Sequence, residues 1–279
     1  MPAAEIHPSQ SDASAFTRFD LVAVLAVLAI LIALQLPSLA NTRRASNTAI
    51  CLNNHQQLTR AWRMYTEDNG DKLAGNLDGV DTQNASNSNR TWCVGWMDIS
   101  VNSSHNTNIA FLLNAQLGRY TRTASVYKCP EDLSVNRGSS VPRVRTVAMN
   151  CYVGARAQPW TAGYRQHRQF TEVVTPTPAG LLVFIDERED SINDGHFGVE
   201  MSGYDPRNPA AYILLDYPAS YHGGGAGVGF ADGHAEIKTW VDPRTNPVLR
   251  PGQLLVLNVP SPNNPDVAWL QERASRRVQ

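Results

Sequence analysis

The chain has 279 residues, of which 42% are apolar and 18% charged, and a formal net charge of −1. That balance supports a filled core and excludes a basic nucleic-acid-binding stripe. Asn, Ser, Thr, Gly and Pro are abundant, which favours turns and strands beyond the N-terminus, where roughly 210 residues remain for one domain or two small ones.

Residues 1–15 are polar. Phe16-Thr17-Arg18-Phe19-Asp20 then leads into fourteen uninterrupted apolar residues, Leu21 to Leu34. Extended to Ala40, the mostly apolar stretch is about one bilayer thickness long as a helix. A secretory signal peptide competes with this reading, through a weak cleavage region at Pro37-Ser38-Leu39-Ala40. It wants a basic n-region, whereas the first fifteen residues hold Glu5 and Asp12 and no Lys or Arg. Beyond Ala40, residues Ala49, Leu52, Gln56, Leu58, Trp62 and Tyr65 recur near helical spacing, and Ile50 and Met64 widen the stripe. Neither Gly nor Pro interrupts this segment before Gly70, which supplies a stop. One helix of about fifty residues is expected, apolar and then amphipathic, with a kink at Pro37.

Phe16-Thr17, an acid at the fifth position from that Phe, an apolar run, a Pro and an amphipathic continuation resemble the N-terminus of type IV pilins and type II secretion pseudopilins. The resemblance implies a prepilin peptidase cut between Ala15 and Phe16, methylation of the new amine, and Asp20 neutralising a neighbour's amine during assembly. It also implies a leader over 1–15, a helix over 16–69 whose half at about 20–40 is transmembrane, and an extracytoplasmic domain over 70–279. This sequence has Ala15 where that family usually has Gly, and Asp20 where it usually has Glu. Arg43 and Arg44 follow the apolar run while only Arg18 precedes it, so charge alone would place the domain in the cytoplasm. The resemblance implies the opposite: a single pass through the inner membrane with the domain outside.

After Gly70 come a loop dense in Asn, Asp, Gly and Ser, a short strand over Trp92–Met97, a helix over Asn108–Tyr120 and an extended Ser125–Cys129. Thr146–Val153 and Leu181–Ile185 read as buried strands. Gly227–Phe230 and Ala235–Trp240 flank Asp232-Gly233 as a hairpin with a type I′ turn. Asn264 caps a final helix with Pro265 at its first position. The expected fold class is α+β and pilin-like: a long N-terminal helix, membrane-spanning in its first half, on an antiparallel sheet.

His222, nine residues and then Asp232-Gly233 resemble a C-terminal H-x9-D-G signature found on one branch of prepilin-type proteins, here spanning 222–233. Cys51-Leu-Asn-Asn, Tyr127-Lys-Cys-Pro130, Asp186-Glu187 with Asp190-Ser-Ile-Asn-Asp-Gly195, and Asn263-Asn-Pro-Asp-Val-Ala-Trp-Leu270 belong to the same resemblance. As a metal or catalytic cluster, His222, Asp232 and His234 would bring two imidazoles and a carboxylate together. Alternation argues against this, because Asp232 and Gly233 form the turn and His234 opens the next strand. The competing reading is a glycine-rich connection with a histidine bonded to backbone. Between Asp186 and Gly195 the residues Asp186, Asp190, Asn193 and Asp194 offer oxygens for Ca²⁺, without EF-hand spacing; an acidic surface loop is the alternative. Cys51, Cys93, Cys129 and Cys151 show no C-x-x-C spacing. In an exported domain they are candidates for one or two disulfides, and otherwise are buried thiols.

No catalytic residue and no enzyme activity are expected, and no cofactor apart from calcium. The leading function is a pseudopilin-like structural subunit of a type II secretion or type IV pilus-like assembly. Its partners would be prepilin peptidase, membrane lipid and like or related subunits, with Ala23, Ala26, Ala29 and Ala33 allowing close helix approach. The alternatives are an anchored extracytoplasmic module for glycan or calcium that does not polymerise, and an anchored hydrolase using His222 and Asp232.

Overall fold

A computed structural model describes residues 18–154 and 159–278, with backbone alone over 32–41. The first helix, α1, spans Arg18–Asp68, and the chain divides into two units, Met1–Ala45 and Ser46–Gln279. In the first unit every described side chain from Arg18 to Leu31 is exposed. The described apolar run, Leu21 to Leu31, covers about 16 Å of helix, against a hydrocarbon core of about 30 Å. Among the described residues no helix is long and apolar enough to cross a membrane. The expected transmembrane half and the single-pass inner-membrane location are overturned by this finding. The expected cut at Ala15 and Phe16 lies outside the described residues, as do the side chains of Ala33 and Pro37.

In the second unit α1 lays a buried stripe on the sheet: Cys51, His55, Leu58, Thr59 and Trp62, spaced as one face of a helix. The helix stops where Gly70 takes a φ of 62°, the left-handed conformation that costs glycine least. The main sheet holds β1 (Val147–Asn150), β2 (Leu182–Asp186), β3 (His196–Phe197), β5 (Gly225–Phe230) and β6 (Ala235–Thr239), in the order β3-β1-β2-β5-β6. β4 (Ile213–Leu214) and β7 (Val259–Pro260) pair separately. Within the main sheet all pairings are antiparallel except β1 with β3, so the sheet is mixed and not the antiparallel one expected. The physical reason is the connection: β3 runs back against β2 after a short reversal, and beside β1 that direction is parallel.

Two cores flank the sheet. On the α1 side, Leu58, Trp62, Trp92, Val147, Met149 and Phe184 pack together. On the other side, Ala148, Ile185, Val228 and Phe230 meet Val267, Leu270 and Ala274 of α5 (Pro265–Ala274). The period of two in β1 explains the split, since Val147 and Met149 face one layer and Ala148 the other. β5 alternates more sharply: Ala226, Val228 and Phe230 point to the α5 layer, and the glycines between them face α1. A Cβ on Gly227 would sit 2.7 Å from both Asp186 Oδ2 and the His55 ring, and one on Gly229 would sit 2.9 Å from Thr59 Oγ1. The glycine run is thus the footprint of a close-lying helix.

Several local expectations change. Trp92–Met97 belongs to no strand, because its amides bond to Gly75, Phe111, Thr82 and Asn193 in four separate segments. Between the short α2 (Val80–Gln83) and β1, the expected helix at 108–120 is two single turns, α3 (Ala110–Leu113) and α4 (Gly118–Thr121). Ser125–Tyr127 is a 3₁₀ turn instead of an extended segment. The β5–β6 hairpin closes through Ala231–His234 with Gly233 at a φ of 103° and Asp232 not at positive φ, so it is not the type I′ turn, which needs two such residues. Asn264 does cap α5, accepting from the amides of Asp266 and Val267.

Candidate metal centre

Four segments far apart in sequence deliver Cys51, Cys129, Asp186 and His222 to one point below the sheet. Cys51 comes from the buried stripe of α1. Cys129 follows the 3₁₀ turn, Asp186 ends β2 and His222 precedes β5. One potential ligand atom from each lies within 4.8 Å of every other, and all four side chains are buried. Cys51 Sγ is 3.0 Å from Asp186 Oδ2, and Cys129 Sγ is 3.2 Å from His222 Nε2.

A second ring of groups orients these four. His222 Nδ1 meets Thr48 Oγ1 at 3.1 Å, which leaves Nε2 facing the cluster. The Thr146 hydroxyl donates to Asp186 Oδ1 at 2.9 Å and accepts from the Cys129 amide at 2.8 Å, so one side chain fixes two members. Asp186 Oδ2 also accepts from the Gly227 amide at 3.2 Å. His55 Nε2 lies 3.2 Å from the same oxygen, but off the hydrogen-bonding direction, and neither ring nitrogen of His55 closes a hydrogen bond.

Electrostatics follow from this packing. Burial disfavours an ionised Asp186, yet the attraction of His55 and the hydrogen bonds from Cys51 and Thr146 hold its carboxyl below the usual range. Cys51 is pushed strongly up by its hydrogen bond with Cys129, by burial and by the Asp186 charge. For Cys129 the hydrogen bond to Cys51 pulls down, but burial and Asp186 leave the thiol raised. Burial lowers His222 despite Asp186. The group is therefore two thiols, a neutral imidazole and a carboxylate.

Such a group could hold a metal ion. Two sulfurs and one nitrogen do not suit calcium, which takes six to eight oxygens. The acidic stretch does not supply a calcium cage either. Asp190 makes two bonds to Arg188, at 2.6 and 3.0 Å. Asp194 accepts from the Gly79 and His196 amides, and burial raises it to about 6. Asn193 accepts from the Asp194 amide. Of the four residues expected to bind calcium, only Asp186 enters the cluster.

The H-x9-D-G residues separate as well. His222 sits in the cluster, while Asp232 and Gly233 lie beyond the other end of β5. His234 is half exposed with its Nδ1 2.6 Å from Asp232 Oδ1, and its ring stacks on Phe230. None of the four cysteines forms a disulfide in this structure, and all are buried. Cys51 and Cys129 are neighbours, whereas Cys93 and Cys151 fall in different core layers. Sequence reasoning weighed the cysteines as disulfide candidates or as buried thiols, not as ligands. The signal it left unused was Cys51 on the inward face of the helical stripe.

No family model matches the chain, and no curated protein or solved structure does either. The pseudopilin class expected from the N-terminus is thus without support on either count, lacking both a membrane-spanning helix among the described residues and a relative.

Proposed function

We propose that this chain is a non-catalytic structural subunit that associates with further copies of itself through the apolar first part of α1. The observation that carries the reading is the exposure of that stretch. Phe19 is 87% exposed, and Leu21, Val22, Val24, Leu25, Val27, Leu28, Ile30 and Leu31 are between 48% and 63% exposed. A helix that is apolar all round is ordinarily covered, and covering the exposed half of side chains of this size is worth roughly 1 kcal/mol each. Ala23, Ala26 and Ala29 leave room for a second helix to approach.

Two features support a role without catalysis. His222 and Asp232, the residues a hydrolase reading would pair, lie at opposite ends of β5, about 20 Å of strand apart. The four side chains of the cluster around His222 are buried, with ligand atoms within 4.8 Å of one another. Analytical ultracentrifugation of the full chain tests the proposal. A concentration-dependent oligomer is expected, and Leu25→Lys with Leu28→Lys should return it to a monomer with an unchanged far-UV spectrum. A full chain that is monomeric at every concentration, or an oligomer indifferent to the two lysines, overturns it.

A further inference from the structure

We propose that Cys51, Cys129, Asp186 and His222 form a closed tetrahedral zinc site that staples α1 to the sheet. Nothing in this assignment depends on how copies of the chain associate.

The donor set selects the ion. Two thiolates, an imidazole nitrogen and a carboxylate oxygen suit zinc, whose bonds are about 2.3 Å to sulfur and about 2.0–2.2 Å to nitrogen and oxygen. Those bonds place tetrahedral ligand atoms about 3.3–3.8 Å apart. Here the closest approaches are 3.0 Å for Cys51 with Asp186 and 3.2 Å for Cys129 with His222, and no pair exceeds 4.8 Å. An ion would therefore be received with sub-ångström movements of side chains already in place. Four protein ligands and complete burial describe a structural site, since a catalytic one keeps a position open.

The groups around the cluster carry the inference further. Metal-bound imidazole ordinarily has its other nitrogen held by a hydrogen bond. Thr48 does this for His222, with the proton on Nδ1 donated to the hydroxyl and the Nε2 lone pair left for the metal. Thr146 occupies Asp186 Oδ1 and leaves Oδ2 to coordinate. As zinc binds, each thiol releases its proton to solvent and a sulfur–zinc bond replaces the S–H bond. Three anionic ligands on a divalent ion leave one negative charge. His55 is buried beside Asp186, 3.2 Å from its Oδ2. Cys51 and His55 stand one helical turn apart on the same face of α1, so the helix brings both a ligand and a neighbour of the Asp186 carboxylate.

The test uses the full chain without a histidine tag, purified under reductant. Metal analysis by mass spectrometry should find one zinc per chain, and cobalt substituted for it should show tetrahedral visible absorption with thiolate-to-metal charge transfer. Cys51→Ser should weaken zinc binding at least tenfold in chelator competition, while Cys93→Ser and Cys151→Ser leave it unchanged. Thr48→Val keeps all four ligands and the fold, and should weaken binding about tenfold as outer-ring variants do. A chain that stays free of metal with all thiols reduced overturns the proposal. So does a mass two hydrogens light that maps to a Cys51–Cys129 disulfide, or a cobalt spectrum without thiolate bands. Iron or copper as the stoichiometric metal overturns the assignment to zinc.

Discussion

Replacing Gly227 by alanine measures how closely α1 lies on the sheet. The added methyl would stand 2.7 Å from Asp186 Oδ2 and from Cδ2 and Nε2 of His55, short of ordinary contact by about 0.7 Å or more. Neither neighbour yields easily. His55 is 1% exposed on a helix anchored by Leu58 and Trp62, and Asp186 is fully buried and bonded to Thr146 and Cys51. Forcing a methyl into a filled core costs about 1–3 kcal/mol, against a gain of about 0.4–1 kcal/mol from a stiffer unfolded chain. A net loss of about 1–2 kcal/mol is expected, or about 2–8 °C in Tm for a unit of this size. The control is Gly180→Ala, whose methyl meets nothing closer than 3.5 Å and should be neutral or slightly stabilising. Urea unfolding with chelator present isolates packing from any bound metal. If Gly227→Ala is as stable as the parent, within about 0.5 kcal/mol, the glycine alternation is not the footprint of the helix and the account of β5 fails.

Two further outcomes follow from buried polar groups. His167 is fully buried, neither ring nitrogen has a hydrogen-bond partner, and burial lowers its pKa to about 4. Folded protein therefore takes this proton only near pH 4, whereas unfolded chain takes it near pH 6.5. The contribution is fully present above pH 6.5 and is lost as pH falls, by about 3 kcal/mol at pH 4. Unfolding at pH 7 and pH 4.5 should show the parent losing about 2–3 kcal/mol more than His167→Phe, and parallel losses would refute the assignment. Asn264→Ala removes the cap of α5 and should cost about 0.5–2 kcal/mol in thermal unfolding; no change would mean that docking on the sheet alone sets the helix start.

The parts of the fold that were legible are those whose cause is local. β2 announces itself by an apolar, branched run, the β5–β6 hairpin by Asp-Gly between two such runs, and α5 by Asn-Pro at its start. Trp92–Met97 misled because burial and β-forming residues are legible in sequence, whereas the partners of its amides are not. The cluster was hidden by distance along the chain: His222 meets Cys129 and Thr48 across separations of 93 and 174 residues, beyond any spacing rule. The acidic stretch looked like one oxygen-rich turn, but Arg188 and the amides of Gly79 and His196 draw its carboxylates in different directions.

The order of strands has a consequence for the domain at high concentration. The run Leu181–Ile185 is the segment most suited to stacking into cross-β fibres, and it lies mid-sheet, hydrogen-bonded on both sides by β1 and β5. The outer positions go to poor templates. β3 offers two residues, and β6 carries Glu236 and Lys238, the lysine ammonium lying over the rings of Trp240 and Trp269. Short and charged borders discourage strand donation from another chain. Copies held close together by their helices would thus meet without their sheets fusing, and the assembly would remain one that can come apart.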